Sequence, residues 1–410
     1  MSQKQIQLAV LKQAVANQGR DFATKDVSES TRMKDAHPDL ISHSHYHSFV
    51  GAALSEHHVI LGIVEVRKGT SRGSRWEKNG LASPSIAVAG DAPATQPSQE
   101  QSLEPGPQYR KDSTFKARMR LHQSWYRANI LRMPYGTGPK STDTSHYGNM
   151  LTRPDGEAGH NFLTPQIAQT ARDRVAQGGG AEPYRLFHDM LSSQPMCFNL
   201  FGPLVQDHVL ACRLLSGLVP ETVAEVTRVA IEWAPQPAEA YLKDRTSFDA
   251  FIEYRTIDGQ QYALGIETKL TEPFSQNEYD GERYRRWMRV QGTPWRPEAE
   301  TTVHAIQHNQ LWRDHLLAFA MRHQPDSPYT KTRLMVIYHP EDRDCAHVMS
   351  GYRKLLREDD DTLIVMPLDR LVQDWTAVIA DGPQRAWIQD FHVRYLELER
   401  SAGCRGSCSS

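Results

Sequence analysis

Three strand-like segments follow one another in the second half of the chain, and they constrain the fold more than any other feature. They are 226–234 (VTRVAIEWA), 247–256 (SFDAFIEYRT) and 261–270 (QYALGIETKL). The turn IDGQ joins the last two segments, and an Asp-Gly pair between strand-like segments is a strong hairpin signal. The sequence therefore predicts adjacent antiparallel strands in one sheet.

Three of the ionisable side chains on this hairpin are candidates for one active site. Asp249 comes near the start of the second segment, and Glu267 and Lys269 come near the end of the third. Antiparallel pairing brings Asp249 and Glu267 toward one end of the sheet. Since Glu267 and Lys269 are two residues apart, their side chains leave the strand on the same face.

This arrangement suits metal-assisted hydrolysis. Two neighbouring carboxylates repel each other, and Mg²⁺ takes oxygen ligands from one or two carboxylates plus water and phosphate. We predict that Asp249, Glu267 and the backbone carbonyl of Thr268 bind Mg²⁺, for which Mn²⁺ can substitute. The ion would stabilise charge on a phosphate and activate water. Lys269 would orient or deprotonate that water, or stabilise the phosphate in the transition state.

The pattern resembles the PD-(D/E)xK nuclease superfamily. Residues from about 117 onward are similar to a bacterial branch described as restriction endonucleases, through the segments RMRLHQSWYR, GNML, GHNFLT, LSSQPMCFNLFGPL, SFDAFIEYR, GIETKL and HNQLWRDHLL. The resemblance implies an α/β fold with an αβββαβ core, added N-terminal helices and hydrolysis of DNA phosphodiesters. The proline that often precedes the first acid is absent, because Ser247 and Phe248 precede Asp249.

The resemblance also suggests further site residues. Many members add an acidic residue before the first strand, and Glu225 is the candidate here, with Glu232 behind it. The helical segment 303–321 follows the third strand, and members often place a Gln or a basic residue there. Gln310 is therefore a candidate contact of the metal water, and Arg313 of the phosphate.

The spacing of apolar residues predicts the helices and strands in the rest of the second module. Helices are predicted at 116–133, 164–177, 183–191 and 195–218, from the spacing of their apolar residues. The segments 332–340 and 362–371 resemble buried strands, and 368–379 resembles a helix. Alternation of helices and strands favours an α/β fold.

The first 80 residues form a separate module by pattern. Helices predicted near 5–17, 24–34 and 45–56 precede a hairpin from HVILGIVEVRK and RWEK, the order of a winged helix-turn-helix. These residues contain 11 Lys/Arg and 8 Asp/Glu, a net +3 against −2 for all 410 residues. The hairpin cations could bind DNA phosphates; they are Arg67, Lys68, Arg72, Arg75 and Lys78.

Composition and low-complexity segments complete the domain prediction. Residues 81–108 are rich in Pro, Ser, Ala and Gln and are predicted to be a flexible linker. The nuclease domain would span 109–403, with a flexible tail at 404–410. His43, His45 and His47 would share a face on a strand and could bind metal, but a polar loop or helix start is the favoured interpretation.

The bulk properties limit the class of protein. Hydrophobic content is 39%, and no stretch approaches the roughly 20 apolar residues that span a bilayer. Five cysteines without framework spacing argue against a secreted disulfide scaffold. Because the first residues also lack a secretory signal pattern, we expect a cytoplasmic protein.

The sequence leaves three functional hypotheses. The leading one is a Mg²⁺-dependent endonuclease acting on double-stranded DNA in restriction or antiviral defence, as a homodimer because two strands need two active sites. The second is a structure-selective nuclease of repair or recombination. The third is a DNA-binding regulator with an inactive nuclease-like domain, and RNA remains an alternative substrate.

Overall fold

The computed structural model describes residues 104–138, 140–178, 180–380 and 382–406, together with three strands nearer the N-terminus. The chain divides into two compact units, Met1–Pro97 and Ser98–Ser410.

The described part of the first unit is a small antiparallel sheet. Its strands are β1 (Asp21–Ala23), β2 (Ile63–Arg67) and β3 (Arg75–Lys78), in the order β1-β3-β2. The predicted hairpin is therefore present as β2 and β3. The three predicted helices lie outside the described residues, so the winged-helix interpretation stays a prediction.

The second unit is built on a mixed five-stranded sheet, and this confirms the α/β class. The strand order is β10-β9-β8-β7-β6, antiparallel between β6, β7 and β8 and parallel between β8, β9 and β10. The strands are β6 (Val223–Trp233), β7 (Phe248–Thr256), β8 (Gln261–Lys269), β9 (Lys331–Tyr338) and β10 (Leu363–Pro367). A separate hairpin, β4 (Tyr135–Thr137) and β5 (His146–Leu151), was not predicted.

The helices of this unit lie between and around the strands. In chain order they are α1 (Thr114–Trp125), α2 (Arg153–Ala158), α3 (Pro165–Ala176), α4 (Pro183–His188), α5 (Ser193–Gln206), α6 (His208–Leu215), α7 (Glu282–Met288), α8 (Asn309–Arg322), α9 (Arg343–Arg353), α10 (Leu368–Val378) and α11 (Pro383–Tyr395). The elements α6, β6, β7, β8, α8 and β9 follow the predicted αβββαβ order. None of the helices in the described ranges is long and apolar enough to cross a membrane.

Two predicted helices differ from the structure. The segment predicted as one helix over 195–218 is two helices, because Asp207 leaves the helical conformation and caps α6 by accepting a hydrogen bond from the Leu210 amide at 2.8 Å. The segment predicted to be helical from 303 starts only at Asn309, after a series of turns. This later start places Gln310 in the first turn of α8.

Two hydrophobic clusters cover the two faces of the sheet. One joins the alternate residues Ala250, Ile252, Leu264 and Ile266 to α3, α5, α6, α10 and α11. The other packs Phe251 and Ala263 against α7, α8 and α9. Because β8 is the central strand, both its faces are buried, and polar side chains are accommodated only at its end.

A close approach between β7 and β8 sets the start of β7. A Cβ atom added to Gly265 would lie 2.3 Å from a ring carbon of Phe248. Only glycine therefore leaves room for the Phe248 ring to cross β8. Phe248 is the residue before Asp249, so this packing helps to position the carboxylate.

The end of the predicted linker contacts the second unit. The guanidinium of Arg127 donates hydrogen bonds to the carbonyls of Glu104 and Pro105, at 2.9 and 3.0 Å. The amide of Gly148 donates to the carbonyl of Pro107 at 2.8 Å. Residues 104–108 thus have a fixed path, whereas 81–103 and 407–410 lie outside the described residues.

Candidate active site

Glu267, Lys269 and Gln310 form a hydrogen-bonded triangle at the end of β8. Lys269 Nζ lies 2.9 Å from Glu267 Oε1 and donates to Gln310 Oε1 at 3.0 Å. Gln310 Nε2 donates to Glu267 Oε1 at 2.6 Å. The side chains of Lys269 and Glu267 are only 8% and 6% exposed, so the pair is largely shielded from water.

Asp249 reaches the same end of the sheet from β7. Its Oδ2 accepts hydrogen bonds from the amide and the hydroxyl of Thr268, both at 2.8 Å. Its backbone carbonyl accepts a weak bond from Cys197 Sγ on α5. Thr268 thus contacts Asp249 through its amide and hydroxyl, and its carbonyl stays a predicted metal ligand.

The electrostatics of these groups reflect their mutual proximity. Burial raises the pKa of Asp249 well above its ordinary value, and the negative charges of Glu267 and Glu232 raise it further. Burial of Lys269 opposes its charged form, but the charge of Glu267 and its hydrogen bond raise the pKa of Lys269 above the ordinary value. Lys269 is thus a fixed cation at neutral pH.

Glu232, near the end of β6, is the further acid at this end of the sheet. It is 7% exposed, and Gln194 Nε2 on α5 donates to its Oε1 at 3.2 Å. Burial raises the pKa of Glu232 to about 7. Its backbone has a positive φ of 52°, a conformation that costs free energy for a residue with a Cβ. Arg174 stabilises this turn by donating to the carbonyls of Ile231 and Glu232.

The structure does not bring Glu225 to the site, so this prediction needs correction. Strand β6 begins at Val223, earlier than predicted, and Glu225 lies opposite Arg255 and forms an exposed ion pair with it at 3.0 Å. Glu225 is seven residues before Glu232, roughly 20 Å along an extended strand. The sequence pattern identified an acid on the right strand but at the wrong end.

Arg313 is held by contacts within the protein. Its side chain is 11% exposed, lies 3.4 Å from Asp244, donates to the Thr246 hydroxyl at 2.8 Å, and stacks on the ring of Tyr279. The predicted phosphate contact therefore competes with three internal partners.

Asp314 is a neighbour of Glu267 that the sequence pattern does not predict. It lies one turn after Gln310 and is 3% exposed, and burial and the charge of Glu267 raise its pKa well above the ordinary value. Asp314 follows Gln310 by four residues on one helix, and this spacing is the sequence feature that could have identified it.

Three of the five predicted DNA-binding residues of the hairpin fall on the small sheet of the first unit. Arg67 on β2 pairs with Arg75 on β3, and Lys78 ends β3 opposite Ile63. Lys68 and Arg72 lie outside the described residues, as do His43, His45 and His47. The structure thus brings three of the five predicted cations onto neighbouring strands of one hairpin.

Comparison with known proteins identifies the family of this chain. The model of the PD-(D/E)XK nuclease superfamily matches residues 110–397. No curated protein and no solved structure matches the chain. The matched range includes all five strands of the large sheet and the groups at their end.

Proposed function

Because the chain belongs to the PD-(D/E)XK nuclease superfamily, we propose that it is a Mg²⁺-dependent deoxyribonuclease with Asp249, Glu267 and Lys269 as its centre. The observation that carries this proposal is the buried contact between Lys269 and Glu267 at the same sheet end as Asp249. Burying a charged pair is costly unless it is well paired. We infer that the buried Lys269–Glu267 pair is kept because the reaction requires it.

The donor atoms at this end fit a Mg²⁺ ion. In the described ranges, hydrogen bonds occupy Oδ2 of Asp249 and Oε1 of Glu267, which leaves Oδ1 and Oε2 for other ligands. The described residues contain no ready group of three His, Cys, Asp or Glu ligands. Mg²⁺ binds through one or two carboxylates, completed by water and substrate phosphate. The carbonyl of Thr268 would add a protein oxygen.

The residues of the site would have separate roles in the reaction. When bound, the ion supplies charge stabilisation at the phosphate and a more acidic water. Lys269, paired with Glu267, would present a positive charge to the phosphate. Gln310 fixes both Lys269 and Glu267, so neither must reorganise when substrate arrives.

Cleavage assays test the proposal. The purified full chain is incubated with plasmid and phage DNA and Mg²⁺, beside Asp249→Asn, Glu267→Gln and Lys269→Ala. We expect each substitution to slow cleavage by at least about a hundredfold, since each removes a transition-state contact. Glu225→Gln, a change of an acid on the same sheet but outside the site, should cleave normally. Cleavage that survives all three central substitutions would refute the assignment.

For the biological role we propose restriction of foreign DNA, acting on double-stranded DNA as a homodimer. Support comes from the superfamily and from the need for two active sites to cut two strands. Discrete plasmid fragments would support restriction, whereas trimming at ends or junctions would indicate repair. Tight duplex binding without any cleavage would indicate a regulator, and RNA cleavage would change the substrate class.

The first unit is proposed to hold the DNA. The hairpin β2–β3 carries Arg67, Arg75 and Lys78, and Lys and Arg side chains on a hairpin suit contacts to phosphates. Such contacts fix position on a duplex without reading its bases.

A further inference from the structure

A second polar site lies beside the catalytic groups. It is a cavity of about 380 Å³ bordered by α1, β5, α4 with the turn that follows it, and the turn after β8, and is called the tyrosine cavity after Tyr109 and Tyr147 in its wall. Pockets for small molecules range from roughly 300 to 1,000 Å³. The tyrosine cavity is at the small end of this range, which suits one nucleobase-sized group rather than a stretch of chain.

Its walls combine aromatic rings with a fixed cation. The ring centroids of Tyr109 and Tyr147 are 6.3 Å apart, and Arg120 lies 5.8 and 5.7 Å from them. Arg120 is locked in place by Asp112, at 2.5 and 3.2 Å, and by Asn149 at 2.7 Å. Tyr109 is 44% exposed, so part of its ring is open to a ligand.

A carboxyl group adds hydrogen-bonding capacity to the cavity. Asp189 Oδ1 accepts from Asn149 Nδ2 at 2.8 Å and from the Leu191 amide at 2.9 Å. Within the described part of the chain, Oδ2 has no such partner. Burial raises the pKa of Asp189, and its Oδ2 can accept a hydrogen bond from a ligand.

The cavity adjoins the catalytic centre. Glu272, which lines it, is three residues after Lys269, no more than about 10 Å along the chain. Arg185 also lines it, lies 3.8 Å from Glu272 and is within electrostatic range of both Asp189 and Glu232. Lys116 adds a third cation, with no carboxylate partner among the described residues. Arg185 thus lies in the cavity wall within electrostatic range of Glu232 at the centre.

We propose that the tyrosine cavity holds one unpaired nucleobase of the DNA substrate, against Tyr109 and Tyr147, while Arg185 and Lys116 contact the adjoining phosphates. This inference rests on the proposed nuclease function and specifies its substrate: DNA with a base out of the stack. Extruded bases are bound by stacking on aromatic side chains and by hydrogen bonds to their edges. Cavity size, aromatic wall, carboxyl group and neighbouring cations all match that ligand.

Binding measurements on the full chain test the proposal. Three labelled short duplexes are titrated in EDTA, which prevents metal-dependent cutting: one fully paired, one with an extra unpaired adenine, and one with an extra abasic residue. We expect the duplex with the unpaired adenine to bind at least about fivefold more tightly than the other two, since stacking of a base contributes that much. Equal binding of the adenine and abasic duplexes would overturn the proposal.

A matched pair of variants assigns the effect to the cavity. Tyr109→Ala should abolish the preference for the unpaired adenine over the abasic residue. Tyr135→Ala is the control, because Tyr135 is similarly exposed at 39% and also lies beside an arginine, but it does not line the cavity. An unchanged preference in Tyr109→Ala would contradict the proposal.

Cleavage by the same preparations separates the two claims. Cleavage of DNA without any preference for the unpaired adenine would sink only the base-binding proposal. Absence of cleavage of every DNA, by a protein that still prefers the unpaired adenine, would sink only the nuclease proposal.

Discussion

The side chains of the site differ in how far the sequence determines them. Asp249, Glu267 and Lys269 could be placed together from strand period and an Asp-Gly turn, because both are local features. Gln310 was predicted as a site residue only through the resemblance to a known family. Glu232 was recognised only as an acid behind Glu225, since its role depends on where β6 starts and on a positive φ, and neither can be read from spacing.

Gln310 gives a first test at this scale. Gln310→Leu removes the donor to Glu267 and the acceptor for Lys269 together. Groups that orient catalytic ligands typically contribute 10- to 100-fold, and we expect a loss of that size in the Mg²⁺-dependent cleavage rate. Gln324→Leu, which changes a part-buried glutamine bonded only to backbone carbonyls, should retain the rate. Full activity of Gln310→Leu would show that the triangle is not needed.

Glu232 gives a test by pH. Its folded-state pKa of about 7 is above the ordinary value of 4.5, so the folded protein binds more protons than the unfolded chain between these values. The associated stability is present below pH 4.5 and is lost as pH rises through 7. Glu232→Gln should therefore reduce the loss of unfolding free energy between pH 5 and 8 by up to about 3 kcal/mol.

Urea unfolding in EDTA at the two pH values measures this effect. Glu225→Gln should keep the wild-type pH dependence, because Glu225 is exposed and paired at the surface. If Glu232→Gln and the wild type lost stability in parallel, Glu232 would not be the titrating group.

At the scale of elements, the sheet was predicted better than the helices. The alternation of apolar residues and the Asp-Gly turn predicted the bounds of β6, β7 and β8 to within a few residues. The break between α5 and α6 was missed because apolar residues continue across Asp207, and only the capping hydrogen bond reveals the boundary. The hairpin of β4 and β5 was missed because its glycine-rich sequence has little strand period, and its contacts to α1 hold it in place.

The crossing of β7 and β8 makes a prediction about both stability and activity. Gly265→Ala would drive a methyl group into the Phe248 ring, and overpacking of this kind costs about 1–3 kcal/mol. Cleavage should fall as well, because Phe248 adjoins Asp249. Gly217→Ala should change the free energy of unfolding little, because a Cβ added at Gly217 would meet no atom within 4 Å.

A double-mutant cycle isolates that contact. Phe248→Ala removes the ring that meets the new methyl group, so Gly265→Ala should cost less in the Phe248→Ala background, by at least about 0.5 kcal/mol. Chemical denaturation of the four proteins gives the coupling. Strict additivity would mean that the two residues do not compete for the same space.

At the scale of the whole molecule, the chain joins a nuclease-superfamily unit to a smaller unit with a three-stranded sheet. Composition predicted a division into modules, because a Pro- and Ser-rich stretch buries little apolar surface. It could not show that residues 104–108 are fixed, since this depends on the distant Arg127.

The role of the smaller unit is testable through salt dependence. We replace five cations with alanine: Arg67, Lys68, Arg72, Arg75 and Lys78. Duplex binding should weaken and its slope against log salt should become shallower, because each lost phosphate contact removes about 0.9 of slope. The control replaces five exposed cations of the other unit: Arg110, Lys140, Arg322, Lys354 and Arg370. Equal slopes for the two variants would argue against DNA binding by the hairpin.

The central claim is that Asp249 and Glu267 hold the divalent ion of a nuclease centre beside Lys269. Anomalous diffraction from crystals soaked in Mn²⁺ tests it most directly, because Mn²⁺ scatters anomalously and can replace Mg²⁺. We expect a peak bound by both carboxylates, and its loss in Asp249→Asn crystals. Mn²⁺ bound at another position, in a protein whose cleavage survives Asp249→Asn, would contradict it.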